Sequence, residues 1–471
     1  MSSLKIAAFA VSGAFSAHLQ AQSAPNVIII LLDDMGWGDL SATGAIGYKT
    51  PNLDRMAAEG MRFTNYYSPQ AVSSASRAGL LTGCYPNRIG FSGALGPGAR
   101  IGIADSEETI AEVLKKKNYA CGAVGKWHLG HHPQFLPLRH GFDEYYGLPY
   151  SNDMWPFHPQ TPNAYPPLPM IEGDRVVNPE VTAADQEQIT TQYTERAVRF
   201  IEKNRDKPFF LYLAHSMPHV PLFVSEKFKG KSEQGLYGDV MMEIDWSVGE
   251  IMKTLKKNNI DNNTLIIFTS DNGPWLNYGN HAGSAGGLRE GKGTVYEGGQ
   301  RVACLMRWTA RIPAGTICNR LASSIDLLPT IAHLCDAPLP SLTIDGVNIT
   351  PLMMGDETAY PRKYFLYYFD RNNLKAVRND RFKLVLPHQG RTYAGFLPGQ
   401  DGMPGPVGNN KEVQALYDLR RDPGERYDVQ DKYPEVMTEL MKIVEVARLD
   451  LGDDITGHNG TGRRPIGTLI K

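Results

Sequence analysis

The sequence predicts an α/β protein built around a large, mainly parallel sheet, with a smaller α+β domain at its C-terminal end. Three observations support this prediction. Strand-like and helix-like segments alternate through roughly the first 350 residues. Charged residues directly follow several of the strands. From about residue 356 the polarity alternates over short segments, as it does in antiparallel strands. We therefore expect two domains, residues 24–355 and residues 356–471.

The N-terminal segment has the pattern of a secretory signal peptide. One lysine precedes an apolar run of small residues, and an alanine-rich end follows, with a predicted cleavage near Ala21. The apolar run is too short and too interrupted to span a bilayer. We expect residues 1–21 to be a signal peptide and the protein to be periplasmic or secreted. A disordered N-terminal tail is the alternative.

The composition of the 471 residues is that of an ordinary globular enzyme. A formal net charge of −2 gives no reason to expect a nucleic-acid partner, and no other segment is apolar enough to cross a membrane. Five cysteines are present, none in a Cys-x-x-Cys motif: Cys84, Cys121, Cys304, Cys318 and Cys335. We interpret them as scattered core cysteines, with room for one disulfide, rather than as a zinc site.

The first predicted elements alternate between strand and helix. The run "NVIIILL", residues 26–32, is continuously apolar, which suits a strand covered on both faces. "PNLDRMAAEG" follows as a helix, with proline near its start and glycine past its end. "VSSASRAGLLTGCYPNRIG", residues 72–90, is expected to open a helix with Ser73 at its start.

The central part continues this alternation. "ETIAEVLKKKNYACGAVGK" predicts a helix and then a buried strand. Residues 184–204 predict an amphipathic helix before the strand "PFFLYLAH", and "YGDVMMEIDWSVGEIMKTLKKNNI" predicts a helix before the strand "NTLIIFTSDNG". "RVACLMRW" and "SSIDLLPTIAHLC" predict one further strand and one further helix.

The C-terminal part has a different pattern. "KYFLYYFDRNNLKAVRNDRFKLVL" predicts short antiparallel strands with turns at "RNN" and "RND". Residues 387–410 are rich in glycine and proline and are predicted to form a loop. A final helix is expected over residues 434–449.

Four of the predicted parallel strands end in charged or metal-ligating residues. The residues are Asp33 and Asp34, Lys126 and His128, His215 and His219, and Asp271 and Asn272. Each pair alone is a weak signal, because acidic residues often only cap the next helix. Ligands gather at the carboxyl ends of parallel strands, so the four pairs together predict one polar site at one edge of the sheet.

The acidic part of this set suits a divalent cation. Asp33, Asp34 and Asp271 supply carboxylates, and Asn272 supplies an amide oxygen. These hard oxygen ligands favour Ca²⁺ or Mg²⁺ over zinc, which prefers cysteine and histidine. Two unrelated helix caps or turns are the alternative.

Lysines and histidines add positive charge and proton-transfer groups. "GKWHLG" places Lys126 and His128 on the same side of an extended segment. Lys292 lies in the glycine-rich "GLREGKGTVYEGGQR", whose backbone can approach a ligand closely but whose spacing is not that of a phosphate-binding P-loop. In "AHSMPHVP", either His215 or His219 could be an acid or a base. The alternatives are surface lysines, core histidines and a flexible loop.

These residues lie in motifs that resemble the sulfatase family. "SSASRAGLLTG" resembles the family signature: Cys or Ser, any residue, Pro or Ala, Ser, Arg, three residues, then Leu-Thr-Gly. "LLDDMGWGDL", "GKWHLG", "SDNG" and "GKGTVYEGGQR" resemble its other blocks, in the expected order, and "HHPQFLPLRHGFDEYYGLPYSND" is most similar to the arylsulfatase A and N-acetylgalactosamine-6-sulfatase branch. The resemblance implies an alkaline phosphatase-like sandwich with a large mixed, mainly parallel sheet, whose catalytic domain is residues 24–355.

The resemblance also implies what Ser73 does. In this family a maturase oxidises the cysteine or serine at that position to formylglycine. One hydroxyl of the hydrated aldehyde attacks sulfur, and the other later expels sulfate. The implied calcium ligands are Asp33, Asp34, Asp271 and Asn272, together with the modified Ser73.

Further roles follow from the same resemblance. Arg77 would hold the formylglycine hydroxyl, and Lys126 and Lys292 would hold sulfate oxygens. His128 would help to remove the proton of the second hydroxyl, and His219 would protonate the leaving alcohol. His215 is then a structural residue, and Ser151 is expected to touch the substrate beside the sulfate.

Two positions depart from the commoner family pattern. Ala75 replaces the usual proline, which the pattern allows. Serine rather than cysteine at position 73 leaves three alternatives: a native serine-type sulfatase, an engineered cysteine-to-serine change, or an inactive relative.

Two aromatic- and proline-rich loops are the predicted determinants of the substrate. They carry side chains suited to a sugar: Trp155, His158, His388, Arg391 and Tyr393. The alternative is that they only cover the domain junction. We expect a sulfated carbohydrate substrate. The competing hypotheses are a phosphodiesterase or phosphonate hydrolase of the same fold, and a non-catalytic binder of sulfated glycans in which Ser73 is not converted.

Overall fold

A computed structural model of the protein describes residues 24–469, so the predicted signal peptide at residues 1–21 lies outside the described residues. Its main feature is a ten-stranded mixed sheet. The strands of this sheet, in chain order, are β1 (Asn26–Leu32), β2 (Met61–Phe63), β5 (Ala120–Gly125), β6 (Glu144–Gly147), β7 (Met170–Glu172), β8 (Arg175–Asn178), β9 (Phe209–Ala214), β10 (Thr264–Ser270), β11 (Cys304–Arg307) and β12 (Thr316–Cys318). Short paired segments complete the numbering in this region: β3 (Tyr66–Tyr67), β4 (Ile101–Gly102) and β13 (Ala322–Ser323).

The strand order in the sheet is β12-β2-β11-β10-β1-β9-β5-β6-β7-β8. The five central strands, from β10 to β6, are parallel to one another. Antiparallel pairs occur only on their two sides, at β10–β11, β11–β2, β6–β7 and β7–β8. The arrangement brings the carboxyl ends of β1, β5, β9 and β10 to one edge.

Helices cover both faces of this sheet. Their bounds are α1 (Pro51–Ala58), α2 (Ser73–Thr82), α3 (Ile110–Lys115), α4 (Ala183–Asn204), α5 (Leu236–Lys257), α6 (Glu297–Gln300), α7 (Leu327–Leu334) and α8 (Thr350–Met353). Val27, Ile29 and Leu31 of β1 belong to the core shared with α2, α3 and α7. The alternate residues, Ile28 and Ile30, belong to the core shared with α1, α4 and α5. The predicted α/β sandwich is therefore confirmed.

The C-terminal region has its own antiparallel sheet. Its elements are β14 (Phe365–Tyr368), β15 (Leu374–Arg378), β16 (Phe382–Val385), β17 (His388–Thr392), β18 (Gly408–Glu412), β19 (Ala415–Asp418), α9 (Pro434–Asp450) and β20 (Gly467–Thr468). Strands β14, β15, β16 and β19 form the sheet, and α9 packs on it through Leu440, Val444 and Ala447. The domain boundary between residues 355 and 356 stays a prediction; it lies between α8 and β14.

The prediction of an unstructured loop over residues 387–410 is wrong at both ends. Strands β17 and β18 pair there as an antiparallel hairpin, from His388–Glu412 to Thr392–Gly408. The pairing was hidden because glycine and asparagine occupy strand positions, where local propensity opposes a strand and pairing with the partner overrides it.

The sequence allowed for one disulfide, but the structure contains none among the described residues. All five cysteines are buried free thiols. Burial raises the pKa of the Cys335 thiol to about 12. Within the described residues, no helix combines the length and apolar character that a membrane crossing needs.

A buried ion-pair network joins the C-terminal sheet to α6. Nζ of Lys383, on β16, lies 3.1 Å from Oε1 of Glu297 and 2.7 Å from Oε1 of Glu425. The same ammonium donates to the carbonyl of Val295 at 2.7 Å. All three charged side chains are fully buried. Since Glu297 begins α6, directly after the glycine-rich loop of Lys292, the network holds that loop against the C-terminal sheet.

Replacing Lys383 with methionine should therefore destabilise the protein. Lys383→Met removes the cation that the two carboxylates share. Arg301 and Arg378 remain 3.7 and 4.0 Å from Glu297, but the buried Glu425 loses its ion pair, and we expect the free energy of unfolding to fall by about 3 kcal/mol or more. Urea unfolding followed by tryptophan fluorescence measures the change. Lys432→Met, at an exposed lysine, is the matched control and should change the midpoint little. Equal midpoints for the two variants would contradict a stabilising role for the network.

Candidate active site

Charged side chains from four parallel strands meet at one edge of the central sheet. The order β10-β1-β9-β5 brings together the residues that follow each strand. They are Asp33, Asp34, Lys126, His128, His219, Asp271 and Asn272. All of them are buried, so their charges are held in a poorly solvated region and interact strongly.

Ser73 lies within this cluster. Its Oγ donates to Oδ1 of Asp33 at 3.0 Å, and Nζ of Lys126 lies 3.4 Å from the same Oγ. Nζ of Lys126 also contacts Oδ2 of Asp33 at 2.5 Å. Burial opposes ionisation of Asp33, but Lys126, His219 and Arg77 hold its pKa well below the ordinary value. A carboxylate and an ammonium therefore both reach the serine oxygen.

Arg77, one helical turn after Ser73, faces two of the carboxylates. Its Nη2 lies 2.8 Å from Oδ2 of Asp271 and 3.6 Å from Oδ2 of Asp33, and its Nη1 donates to the carbonyl of Lys126. Burial and the neighbouring Asp33 nonetheless raise the pKa of Asp271 to about 7. Burial of Asp271 and the charge of Asp33 thus outweigh the stabilisation that Arg77 gives to its ionised form.

The oxygens around Asp34 form a set that fits a divalent cation. One ligand atom from each of Asp33, Asp34 and His219 lies within 4.8 Å of the others. Nδ2 of Asn272 donates to Oδ1 of Asp34 at 2.7 Å, while Oδ1 of Asn272 is buried and has no hydrogen-bond partner in the described part of the chain. A buried amide oxygen that accepts no hydrogen bond and lies beside two carboxylates has the surroundings of a cation ligand.

Helix α2 places Ser73 at its first position, and every residue of the helix is buried. Small side chains make this burial possible. A Cβ on Gly79 would lie 2.7 Å from Cγ of Pro69 and 2.8 Å from the carbonyl oxygen of Cys84. Because Ser73 is the first residue of α2 and contacts the cluster, the N-terminus of the helix lies at the site, where it favours negative charge.

Lys126 and His128 follow β5 through an unusual backbone path. Gly125 has φ of +107°, and a Cβ there would lie 1.8 Å from the carbonyl oxygen of Ala214. His128 and Asp34 both have left-handed backbones, with φ of 64° and 66°. Such conformations cost free energy in residues other than glycine and cluster where function requires them.

His128 is held as a neutral base. Its Nε2 contacts the carbonyl oxygen of Leu95 at 2.8 Å, and since a carbonyl only accepts, Nε2 carries the proton. Burial, together with Lys126 and Arg77, lowers the pKa of His128 well below its ordinary value. Nδ1 is buried without a partner in residues 24–469, so it is free to accept a proton.

His219 contacts the cluster at Asp34 and Ser151. Its Nδ1 contacts the carbonyl oxygen of Val220 at 2.5 Å, which leaves Nε2 toward the site. Nε2 lies 3.4 Å from Oγ of Ser151 and 3.5 Å from Oδ2 of Asp34. Ser151 also contacts Nζ of Lys126 at 3.2 Å. His215, the other histidine of this segment, points away from the cluster and contacts Ser247 instead.

Lys292 reaches the cluster from the glycine-rich loop. Its Nζ lies 2.8 Å from Oδ2 of Asp34 and 4.1 Å from the ring centre of Trp275. The hydroxyl of Tyr393 donates to the carbonyl of Lys292 at 2.5 Å. We did not single out Trp275 from the sequence; its position two residues after "DNG" was the only available signal.

The five predicted sugar-binding residues are placed differently from one another. Tyr393 and Arg391 lie beside the Lys292 loop. Trp155 is buried against Phe223, and Nδ1 of His158 accepts from the backbone of its own loop. His388 is buried, and its Nδ1 donates to the carbonyl oxygen of Leu386 at 2.7 Å. A role for these residues in substrate binding stays a prediction.

Comparison with known families gives consistent matches along the chain. The family described as Sulfatase matches residues 25–337, and the family described as the C-terminal region of aryl-sulfatase matches residues 361–460. A third description, N-sulphoglucosamine sulphohydrolase, C-terminal, matches residues 290–392.

Individual relatives match over most of their length. Arylsulfatase A of Bos taurus is 38% identical and the alignment covers 93% of this chain and 89% of the relative. N-acetylgalactosamine-6-sulfatase of Mus musculus is 38% identical, with 90% and 86% covered. The solved structure of Ps i-CgsB in complex with k-i-k-neocarrahexaose is 30% identical, has a TM-score of 0.73, and covers 90% of this chain and 92% of its own.

The position of His215 outside the cluster gives a testable pH dependence. Burial lowers its pKa from 6.5 to about 4 in the folded protein. Below about pH 6.5 the unfolded chain therefore binds a proton that the folded protein rejects, and stability falls as the pH drops toward 4. His215→Gln should reduce this slope by up to about 1.4 kcal/mol per pH unit.

Urea midpoints at several pH values across this range measure the effect. His333→Gln, at an exposed histidine near the end of α7, serves as the control. If His215→Gln retained the slope of the unmodified protein, burial of a neutral His215 would not be a source of acid sensitivity.

Proposed function

The chain belongs to the sulfatase family and is a sulfuric ester hydrolase, and on this premise we propose that it removes sulfate from a sulfated carbohydrate through a formylglycine formed at Ser73. The observation that carries the proposal is the position of Ser73. Its Oγ lies at the start of a buried helix, 3.0 Å from a carboxylate oxygen and 3.4 Å from an ammonium. A residue so placed is held and polarised from two sides.

Conversion of Ser73 requires an oxidation, so a formylglycine-generating maturase is a required partner. The aldehyde hydrate would supply the attacking hydroxyl and a second hydroxyl for release of sulfate. The surrounding residues have separate tasks. Oδ1 of Asp33 accepts a hydrogen bond at this position, and Lys126 keeps Asp33 ionised. Arg77 holds Asp271 and the carbonyl of Lys126, and it fixes the start of α2 beside them.

We propose calcium as the cation of the site. Asp33, Asp34, Asp271 and Asn272 would hold it, with the modified Ser73 as a further ligand, and its charge would offset the negative charge of the sulfate ester. The buried, unpartnered Oδ1 of Asn272 beside these carboxylates supports a cation ligand at this position. Only oxygen donors are needed, which leaves the nitrogen of His219 for proton transfer.

Two lysines are suited to bind sulfate oxygens. Lys126 and Lys292 reach the site from opposite sides, and each already contacts a carboxylate oxygen at 2.8 Å or less. Their ammonium groups lie where negative charge builds up as the S–O bond breaks. Trp275 lies under the Lys292 ammonium, limits its motion and shields it from water.

The two histidines divide the proton transfers. His128 has a free Nδ1 and a lowered pKa, so it accepts the proton when sulfate is released from the hydrate. His219 presents Nε2 beside Ser151, where the leaving alcohol is expected, and acts as the acid. Ser151 bridges Lys126 and His219 and is suited to contact the ester between them.

The sulfated carbohydrate assignment is supported by the relatives. N-acetylgalactosamine-6-sulfatase is named for a sugar sulfate, and Ps i-CgsB was solved with k-i-k-neocarrahexaose. We further propose that Arg391 and Tyr393 contact the sugar.

The domain bounds and the export signal remain proposals as well. We propose that residues 24–355 and 356–471 are the two domains, and that residues 1–21 direct export to the periplasm or the medium.

Conversion of Ser73 is the decisive test of the mechanism. Trypsin releases Ser73 in the peptide of residues 63–77, and in the active protein this peptide should be lighter by about 2 Da, because oxidation removes two hydrogens. Ser73→Ala should lower kcat on an aryl sulfate by a factor of about 1000 or more. Ser341→Ala, at an exposed serine, is the control.

The outcomes separate the competing hypotheses. Sulfate hydrolysis by a protein whose Ser73 is unmodified would contradict the formylglycine mechanism alone. An unmodified protein without activity would favour a non-catalytic glycan binder. Faster hydrolysis of phosphate diesters or phosphonates than of any sulfate ester would favour the other reaction class.

The cation gives a second prediction. Calcium at about 100 times its Kd should raise the free energy of unfolding of chelator-treated protein by about 2.7 kcal/mol. Asp34→Asn should remove most of this increase, because it deletes a charged ligand and keeps the shape. Asp206→Asn, at an exposed carboxylate, should keep it. Thermal unfolding and elemental analysis measure the two effects, and stoichiometric zinc without calcium would contradict the assignment.

A further inference from the structure

A basic cavity of about 510 Å³ lies next to the Ser73 cluster, and apart from Arg391, which we propose to contact the sugar, its residues have no part in the proposed mechanism. Its walls come from the segment after α2 and from the C-terminal sheet. It is lined by three cationic side chains, those of Arg371, Lys375 and Arg391, and by one carboxylate, that of Asp370. We call it the basic cavity.

The basic cavity shares two walls with the site of Ser73. Gly93 lines the cavity, and its carbonyl accepts a hydrogen bond from the backbone of Ala75, in the first turn of α2, at 3.3 Å. On the other side, a Cβ added to Gly293, the residue after the proposed sulfate-binding lysine, would lie 2.9 Å from Nη1 of Arg391. The basic cavity and the Ser73 cluster are therefore neighbours, separated by a few residues of these two walls.

The cations of the basic cavity are poorly neutralised. Lys375 is only 3% exposed, yet its ammonium has a carbonyl at 2.9 Å and a carboxylate, that of Asp370, no closer than 3.9 Å. The Asp370 side chain is 63% exposed, so water screens its charge. Within the described part of the chain, no carboxylate lies within 4 Å of the guanidinium of Arg371 or Arg391.

The turn that carries Arg371 is held in place. Asp370 and Arg371 are consecutive residues with left-handed backbones, at φ of 59° and 65°. Oγ of Ser92 donates to the carbonyl of Arg371 at 3.1 Å and ties the turn to the opposite wall. Two such residues in succession are energetically unfavourable, so the contacts around this turn between β14 and β15 must hold it in one orientation.

We propose that the basic cavity binds a second anionic group of the substrate, a sulfate or a carboxylate on the sugar next to the one that loses its sulfate. This inference rests on the proposed function. Guanidinium groups pair with planar or tetrahedral oxyanions through two parallel hydrogen bonds, whereas a neutral sugar gives no reason for three cations. The substrate is accordingly a polyanionic oligosaccharide rather than a singly sulfated neutral sugar.

Three matched disaccharides test the proposal. They share the sulfated sugar, and the neighbouring sugar is neutral, carries a carboxylate, or carries a second sulfate. An aryl sulfate is assayed in parallel as a substrate that cannot reach the basic cavity. We expect the converted protein to hydrolyse the dianionic disaccharides with kcat/KM about tenfold above that of the neutral-neighbour disaccharide, mainly through KM.

Arg371→Ala and Arg391→Ala should each reduce this preference several-fold and weaken its dependence on salt, since exposed charge pairs are screened. The matched control is Lys411→Ala, in the same β17–β18 hairpin but outside the lining of the cavity, and it should keep the preference. A preference for only the carboxylate or only the second sulfate identifies which anion the cavity binds.

Equal kcat/KM for the three disaccharides, or a preference that survives both arginine variants, would overturn the proposal while hydrolysis itself upholds the proposed function. If no sulfate ester is hydrolysed, including the aryl sulfate, the proposed function fails and calorimetry still decides the cavity. Tighter binding of the disulfated disaccharide to the unmodified protein than to Arg371→Ala then supports the cavity, and equal binding overturns it.

Discussion

Three buried carboxylates and three buried cations share one end of the central sheet, and the position of each depends on the others. The carboxylates belong to Asp33, Asp34 and Asp271, and the cations to Arg77, Lys126 and Lys292. Each ion loses several kcal/mol of hydration on burial, so none of the six is tolerable there without an opposite charge at short range. Their formal charges cancel only when the strands, helix α2 and the glycine-rich loop are all in place.

This constraint explains why distant parts of the chain are tied together at the site. The loop of Lys292 receives a hydrogen bond from Tyr393, and α6 at its end is held by Lys383 of the C-terminal sheet. The N-terminal region supplies the chemistry, but the C-terminal region fixes the loop that brings in the third cation. A cation added to the cluster changes this balance, because the protein charges alone already sum to zero.

Local patterns were sufficient to predict the elements that form the central sheet. The continuous apolar run of β1 and the amphipathic period of α4 gave bounds within one residue of those observed. The identity of the cluster was also predictable, because parallel strands place their carboxyl ends at one edge and the charged residues follow those ends. The resemblance of the motifs to those of sulfatases then implied a role for each residue.

What the sequence could not supply depends on long-range contacts. Strands β17 and β18 lie in a stretch whose glycines and asparagines oppose strand formation, and only their pairing reveals them. The burial of Lys383 depends on two glutamates more than 40 residues away on either side, and no local signal marks it. The basic cavity arises where a turn of the C-terminal sheet meets the segment after α2, which separates its cations from Ser73 by about 300 residues of chain.

The burial of helix α2 bears on when the proposed oxidation of Ser73 would take place. Ser73 is 2% exposed and begins a helix of which every residue is buried. An enzyme that oxidises this serine would therefore reach its hydroxyl more readily while α2 is still unpacked. On the proposed mechanism, a chain that folds before it is oxidised would keep its serine. The fraction of active molecules would then depend on the relative rates of folding and modification in the cell that made the protein.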